Sequence, residues 1–229
     1  MVTIFVNPRQ FGDPADLGKY PRSEARDLAM CTEAGVGIVF APFVEEIYPP
    51  GFDSLVTVGA VAHPLEGAAR PGHFDGVATV VAILFNLVGA DRAYFGQKDA
   101  QQLLVIRQMA RDLAIATEVI GCPTVRDPDG LAMSSRNVHL SPAERAVAPV
   151  LRRALLAGRA PWAVGERSAD AIRAAMGAVL ASEPLAHPDY VSVADGGTLR
   201  ELDRVDGPAL LSLAVRFGST RLIDNEPLP

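Results

Sequence analysis

Cysteine is scarce in this sequence, which has two cysteines in 229 residues. Cys31 and Cys122 lie far apart and outside any Cys-x-x-Cys or Cys/His cluster, so neither a disulfide framework nor a zinc site is indicated. We therefore assign no metal-ligating side chains. This cysteine usage is typical of a reducing compartment, and we expect a cytoplasmic protein.

Basic tracts and long apolar runs are also missing. The 21 Lys and Arg residues against 27 Asp and Glu residues give a formal net charge of −6, and no basic run interleaved with aromatics occurs, so we expect no nucleic-acid partner. The longest apolar stretch, residues 77–88, is too short to cross a bilayer and contains Thr79 and Asn86. No leader is visible before the strand-like start at residues 2–6, so we expect no membrane association.

Strand-like and helix-like segments alternate over residues 1–137, which we assign to a first domain. Apolar runs of strand length occur at residues 2–6, 36–40, 55–58, 90–95 and 117–120. Helices are predicted between them over residues 23–34, 77–88 and 99–113. Alternation of this kind predicts an α/β fold with right-handed βαβ units around a parallel sheet.

Residues 138–229 have a different organisation and are assigned to a second domain. Ser141-Pro142-Ala143-Glu144 is a capping box with proline at the first helical position, so a helix is expected to begin there. Helical patterns at 141–156 and 168–181 precede strand-like segments at 189–194, 209–215 and 221–224. Helices followed by strands predict a small α+β domain with an antiparallel sheet.

Two polar loops have the side chains needed to bind phosphate. In residues 95–102 a strand turns into a helix, where free N–H groups favour anions and Lys98 adds a point charge. Residues 127–137 contain two serines and an arginine that together can clamp phosphate oxygens. The alternatives are a solvated Lys98 with Asp99 as a helix cap, and serines that only cap a helix.

Several motifs, taken in order along the whole chain, resemble the pantothenate synthetase family. They are residues 5–11, 20–22, 65–77, 95–102, 129–137 and 221–225. The resemblance implies a Rossmann-like parallel sheet of the HIGH/KMSKS nucleotidyltransferase superfamily, followed by a small α+β C-terminal domain. It also implies an ATP-dependent ligase that joins (R)-pantoate to β-alanine through a pantoyl adenylate, with Mg²⁺, without a covalent enzyme intermediate, and as a homodimer.

The same resemblance assigns site residues. ATP is expected to be held by Gly96, Gln97, Lys98, Asp99, Val125, Met133, Ser134, Ser135 and Arg136. The residues expected to act in catalysis are Lys98, Ser134, Ser135 and Arg136, of which Lys98 is the candidate for transition-state stabilisation. The substrates pantoate and β-alanine are expected to contact Gln10, Gln102 and Asn7. Asn-Pro is also a common turn at the end of a strand, so a purely structural role for Asn7 stays open.

The sequence departs from the family at its start. Pantothenate synthetases begin with a Pro-Thr-Met-Gly…His-x-Gly-His segment, and this sequence contains no such motif. The Rossmann-like sheet is therefore expected to be incomplete, and the chain as given to fold poorly and be inactive. Two other functions stay open. One is an inactive remnant that binds nucleotide or dimerises without turnover. The other is a different nucleotidyltransferase, which would not need both Gln10 and Gln102.

Overall fold

The computed structural model describes residues 1–12, 17–18 and 23–229. The Tyr-Pro-Arg motif at residues 20–22, part of the resemblance, lies outside the described residues. Among the described helices, none is long and apolar enough to cross a membrane.

The described strands of the first part of the chain form two parallel pairs. β1 (Val2–Thr3) pairs with β2 (Val39–Phe40), and β3 (Arg92–Gly96) pairs with β4 (Glu118–Cys122). The α/β class with parallel strands is confirmed. β1 and β2 are shorter than predicted. Among the described residues, the hydrogen bonds from Val2 N to Ile38 O and from Ile4 N to Phe40 O (both 2.9 Å) extend their pairing by one residue at either end.

The prediction of a strand at residues 55–58 is wrong. In this segment the Val56 N–H donates to the hydroxyl of Thr79 (2.9 Å), a helix side chain, rather than to a neighbouring strand. Val58 is buried in the core beside the same helix. The apolar run therefore reflects burial against a helix and not membership of a sheet.

The α-helices of this part include α1 (Glu24–Glu33), α2 (Val44–Ile47), α3 (Glu66–Ala69), α4 (His73–Val88) and α5 (Ala100–Asp112). Of these, α1, α4 and α5 correspond to predicted helices, whereas the short helices α2 and α3 were not predicted. α4 ends at Gly89, whose φ of 59° is a left-handed conformation that glycine adopts without strain. α4 begins four residues before the predicted start, so it takes in His73 and Gly76, both of which support the candidate site.

The second part contains α6 (Pro142–Val147), α7 (Val150–Ala163) and α8 (Ala169–Ala181). The capping box at Ser141 and Glu144 is confirmed, with Ser141 N donating to Glu144 Oε2 (2.7 Å) and Glu144 N to Ser141 Oγ (3.3 Å). The prediction of one helix over 141–156 is wrong, because the chain breaks at Pro149, which has no N–H to donate. α7 then continues past the predicted end.

Three nine-residue strands complete this part as an antiparallel sheet in the order β5-β6-β7. They are β5 (His187–Asp195), β6 (Ala209–Phe217) and β7 (Thr220–Leu228). β6 is buried on both faces. Leu211 and Leu213 join the core formed with α7 and α8, whereas Leu210 joins the core formed by α4 and α5. The sheet therefore lies between the two parts of the chain, and the domain boundary after residue 137 stays a prediction.

Candidate functional site

The turn that carries Lys98 lies between β3 and α5. Residues Gln97–Asp99 form a single 3-10 turn, and α5 begins at Ala100. Asp99 precedes the helix, but its side chain makes no capping hydrogen bond. Its Oδ1 lies 3.4 Å from Lys98 Nζ instead. The helix start thus keeps N–H groups that no side-chain cap has satisfied, beside a lysine.

This turn is held in place from β7. Asn225 is buried, and its Nδ2 donates to the carbonyl oxygens of Gln97 (2.9 Å) and Lys98 (3.0 Å). The amide of Gln97 returns a longer hydrogen bond to Asn225 Oδ1 (3.4 Å). A residue 127 positions away in the sequence therefore fixes the backbone that presents Lys98.

The loop that carries the two serines is anchored in the same strand. Arg126 makes a two-point ion pair with the buried Asp224 of β7, with N–O distances of 2.7 and 2.9 Å. At the other end, Ser134 Oγ accepts a hydrogen bond from Arg136 N (3.2 Å) and caps the 3-10 helix Ser135–His139. Ser134 therefore caps a helix, which was the alternative to phosphate binding. Its hydroxyl accepts in this cap and keeps a proton that it can still donate to a ligand.

A cleft of about 640 Å³ separates the Lys98 turn from this loop. Lys98 and Asp99 from the turn, Ser134 and Arg136 from the loop, and residues 219–224 all line it. The structure thus brings together four of the residues predicted to bind ATP. Others that were predicted, but do not line this cleft, are Gly96, Gln97, Val125, Met133 and Ser135. Their roles stay predictions.

The cleft has an excess of positive charge. Its acidic lining residues include Glu66 and Asp224, and each is already paired with an arginine, Arg221 and Arg126 respectively. Burial alone would raise the pKa of the Glu66 carboxyl, but the hydrogen bonds and the charge of Arg221 outweigh burial and hold that pKa below its ordinary value. The third acidic lining residue, Asp99, is paired with Lys98 (3.4 Å). The four basic lining residues, Arg70, Lys98, Arg136 and Arg221, therefore exceed the three acidic ones by one, and the cleft suits an anionic ligand.

A second cavity, here called the inner pocket, opens beside the cleft. The two share a wall that includes Glu66, Arg70, Lys98 and Asp99. Further lining residues of the inner pocket include His73, Phe74, Gln101, Gln102, Tyr190 and Ser212. Gln102 and Lys98 therefore line the same pocket, as expected if a second substrate bound at Gln102 reacts with the phosphates of ATP.

Neither Gln10 nor Asn7 lines the inner pocket, but Gln10 contacts two residues that do. The backbone oxygen of Gln10 accepts hydrogen bonds from His73 Nδ1 (2.9 Å) and Arg70 Nη2 (3.3 Å), and both of these residues line the pocket. Burial, followed by the charge of Arg70, lowers the pKa of His73, which suits a neutral ring that donates through Nδ1. These contacts place the Gln10 turn at the pocket's edge.

Gln101, next to the predicted Gln102, has a different role. It is buried, and its Nε2 donates to the carbonyl oxygens of Val61 (3.0 Å) and Pro64 (2.8 Å). Its Oε1 accepts a hydrogen bond from Glu66 N (3.0 Å). Both glutamines line the inner pocket, but the Gln101 amide is taken up by these contacts, whereas the Gln102 amide makes no hydrogen bond to a described residue.

Sequence reasoning missed the residues that hold the site together. Glu66 receives two hydrogen bonds from Arg221 (2.7 and 2.8 Å) and one from the Tyr190 hydroxyl (3.0 Å), so α3 is fastened to β7 and β5. Both Glu66 and Arg221 lie inside motifs used for the resemblance. Their long-range pairing, and that of Asn225 with Lys98, leaves no periodic signal in a single sequence.

The chain is similar to known ligases over nearly its full length. A family model described as "Pantoate-beta-alanine ligase" matches residues 1–227. The pantothenate synthetase of Roseiflexus castenholzii is 64% identical over 225 residues, which are 98% of this chain and 81% of the relative. That of Chloroflexus aggregans is 61% identical over 226 residues, with 98% and 81% covered.

Two solved structures are similar as well. The pantothenate synthetase of Thermus thermophilus superposes with a TM-score of 0.95 at 51% identity, covering 98% of this chain and 82% of that one. The pantoate–β-alanine ligase of Francisella tularensis, in complex with beta-gamma ATP and β-alanine, gives a TM-score of 0.76 at 30% identity. This second match covers 98% of this chain and 78% of the ligase.

Proposed function

The chain belongs to the pantoate–β-alanine ligase family, and we propose that it condenses (R)-pantoate with β-alanine, using ATP, by way of a pantoyl adenylate. The observation that carries the proposal is the cleft, where Lys98 faces Ser134 and Arg136 next to an inner pocket that contains Gln102. The family relation suggests the substrates, and the cleft and the inner pocket are the candidate sites for ATP and pantoate.

In the first step, a carboxylate oxygen of pantoate attacks the α-phosphorus of ATP. The bond from that phosphorus to the oxygen bridging to the β-phosphate breaks, and pyrophosphate leaves. Negative charge accumulates on the phosphate oxygens, so Lys98 and Arg136 accelerate the step by neutralising it. The hydroxyl of Ser134 and the N–H groups at the start of α5 add hydrogen bonds to the same oxygens.

In the second step, the amine of β-alanine attacks the acyl carbon of the adenylate. The bond from that carbon to the AMP oxygen breaks, AMP leaves with the bonding electron pair, and the amine releases a proton to solvent as the amide forms. No side chain needs to form a covalent bond. The protein's contribution is to hold two substrates in line and to exclude water from the acyl phosphate.

Amides suit the binding of pantoate. Gln102 inside the pocket and Gln10 at its edge can bind hydroxyl and carboxylate groups without a positive charge that would weaken the carboxylate as a nucleophile.

Mg²⁺ fits the cleft. The Asp99 side chain, 47% exposed, provides carboxylate oxygens beside the phosphate site, and this cation prefers phosphate oxygens with one or two carboxylates. Asp99 would hold the ion, which would screen charge on the phosphates. The family relation also leads us to propose a cytoplasmic homodimer, which sedimentation velocity and fractionation of the source cells would test.

The test is pantoate-dependent exchange of labelled pyrophosphate into ATP, in the presence of Mg²⁺. We would compare the 229-residue chain with the same chain preceded by a segment carrying the family's Pro-Thr-Met-Gly…His-x-Gly-His motif. Lys98→Ala is expected to abolish exchange. Arg111→Ala, which removes an exposed cation from the last turn of α5, is expected to leave it unchanged.

The outcomes separate the candidate functions. Exchange that needs pantoate and Lys98 supports the proposal, and if the 229-residue chain shows it, the expected inactivity of that chain is wrong. Exchange driven by another acid but not by pantoate would mean a different nucleotidyltransferase. Nucleotide binding without exchange in either chain would overturn the proposal in favour of an inactive remnant.

A further inference from the structure

The Asn7 side chain makes four hydrogen bonds to described residues and is almost completely buried, at 2% exposure. Its Nδ2 donates to the carbonyl oxygen of Gly76 (3.0 Å) and to Oε1 of Gln10 (3.3 Å). Its Oδ1 accepts from the backbone N–H of Arg9 (3.2 Å) and from the Tyr48 hydroxyl (2.8 Å). Asn7 therefore has little capacity left for a ligand.

These partners fix which way the Asn7 amide points. The Gly76 carbonyl can only accept and the Arg9 N–H can only donate, so Nδ2 must face the first and Oδ1 the second. Nδ2 then requires an acceptor from Gln10, which must turn its Oε1 toward Asn7. Gln10 Nε2 has no hydrogen bond to any described residue and remains as the donor of that side chain.

The turn that carries these groups is held from several sides. The Arg9 guanidinium lies over the rings of Tyr48 (4.9 Å) and Phe52 (4.6 Å). At Gly76, a Cβ atom would lie 2.3 Å from the Arg9 carbonyl oxygen, so only glycine allows α4 to approach this closely. Burial raises the pKa of Tyr48 to about 12, so its hydroxyl keeps the proton that it donates to Asn7 at neutral pH.

We propose that Tyr48 and Asn7 form a relay that orients the amide of Gln10, so that Gln10 meets pantoate only as a hydrogen-bond donor. Asn7 and Tyr48 are then positioning residues, and Gln10 Nε2 is the group that binds a carboxylate or hydroxyl oxygen of the substrate. The inference rests on the proposed function, because it takes pantoate as the ligand of Gln10.

The relay predicts how two near-isosteric changes alter substrate binding. Asn7→Asp removes the donor that holds Gln10 Oε1, so the Gln10 amide turns over to donate to the new carboxylate and presents oxygen to the substrate. Tyr48→Phe removes one of the two hydrogen bonds that hold Asn7 Oδ1. We expect pantoate affinity to fall about tenfold with Asn7→Asp and about threefold with Tyr48→Phe, with ATP affinity unchanged.

Isothermal titration of the full chain with pantoate, and separately with ATP, measures both affinities. Tyr94→Phe is the matched control, since Tyr94 is exposed on β3 and makes no hydrogen bond through its hydroxyl to a described residue. A double-mutant cycle separates positioning from general loosening: in a Gln10→Ala background, Tyr48→Phe should weaken pantoate binding no further.

Each result decides something. If the wild-type chain binds pantoate and both variants bind it equally well, the relay is overturned but the proposed function is not. The same holds if Tyr48→Phe still weakens pantoate binding in the Gln10→Ala background. An equal loss of pantoate and ATP affinity also overturns it, since that is a structural effect. If the wild-type chain and its extended form bind ATP but not pantoate, the proposed function fails and the relay with it.

Discussion

The antiparallel strands near the C-terminus and the parallel strands near the N-terminus differ in how they are held together. β5, β6 and β7 each contain nine residues, and β6 is buried on both sides. β1 and β2 contain two residues each and pair only with one another among the described strands. The predicted phosphate-binding loops belong to the first part of the chain, yet their long-range anchors lie on β7. The better-packed sheet therefore positions a site whose chemistry resides elsewhere.

Arg221→Ala is expected to have the largest effect among the substitutions that test how far the first part depends on β7. It leaves the buried Glu66 carboxylate without its cation, and breaking a buried pair in this way costs about 3–5 kcal/mol. Urea denaturation should show this loss. The control is Arg92→Ala, which removes an exposed partner of Glu118, with both side chains 63% exposed, and should cost about 1 kcal/mol or less. Equal losses would mean that the Glu66 pair is not what joins the two parts.

Truncating one apolar side chain in each sheet compares how much β6 and β2 contribute to stability. Leu213→Ala on β6 removes a fully buried side chain and should destabilise the fold by about 2–5 kcal/mol. Val39→Ala on β2 removes less side chain at a half-buried position and should cost about 1 kcal/mol. The midpoints of chemical denaturation give both values. If Val39→Ala proved the more damaging, the N-terminal strands would carry stability that their short pairing does not indicate.

A substitution at Asn225 tests the contact that serves the site most directly. Asn225→Asp replaces the donor that binds the carbonyl oxygens of Gln97 and Lys98 with an acceptor, so an unfavourable contact is created beside the turn. We expect a loss of about 1–3 kcal/mol in the free energy of unfolding, together with weaker ATP binding by calorimetry.

Asn86→Asp is the matched control, because Asn86 is exposed on α4. The same change there should leave both measurements nearly unaltered. If Asn225→Asp lowered stability but left ATP affinity intact, the anchor would support the fold without shaping the nucleotide site.

The sequence predicted local features better than distant pairings. The capping box at Ser141, the end of the helix predicted over 77–88 and the antiparallel strands of the second part depend on neighbouring residues, and all three appear in the structure. The apolar run at 55–58 was misread because a segment buried against a helix has the same composition as a strand. The family was identified correctly because its motifs, unlike periodicity, record the chemistry of a whole site.

The candidate site was only partly predictable for the same reason. Lys98, Ser134 and Arg136 were found and do meet at one cleft. The groups that hold them, Asn225 and Asp224, act over about 100 residues of sequence and carry no local pattern. Gln102 was distinguished from Gln101 only through the resemblance, since adjacent glutamines on a helix look alike in sequence.

The smallest expected effect compares two serines at equivalent helix positions in the two parts of the chain. Ser141 precedes α6 and accepts a hydrogen bond from Glu144 N, whereas Ser23 precedes α1 and makes no capping hydrogen bond. Ser141→Ala should therefore lower the free energy of unfolding by about 1 kcal/mol, and Ser23→Ala by much less. Thermal unfolding of the two variants beside the wild type measures the difference. If both substitutions were equally costly, the N-terminal helix would be capped in solution, and the contrast in local order between the two parts would be smaller than their contacts indicate.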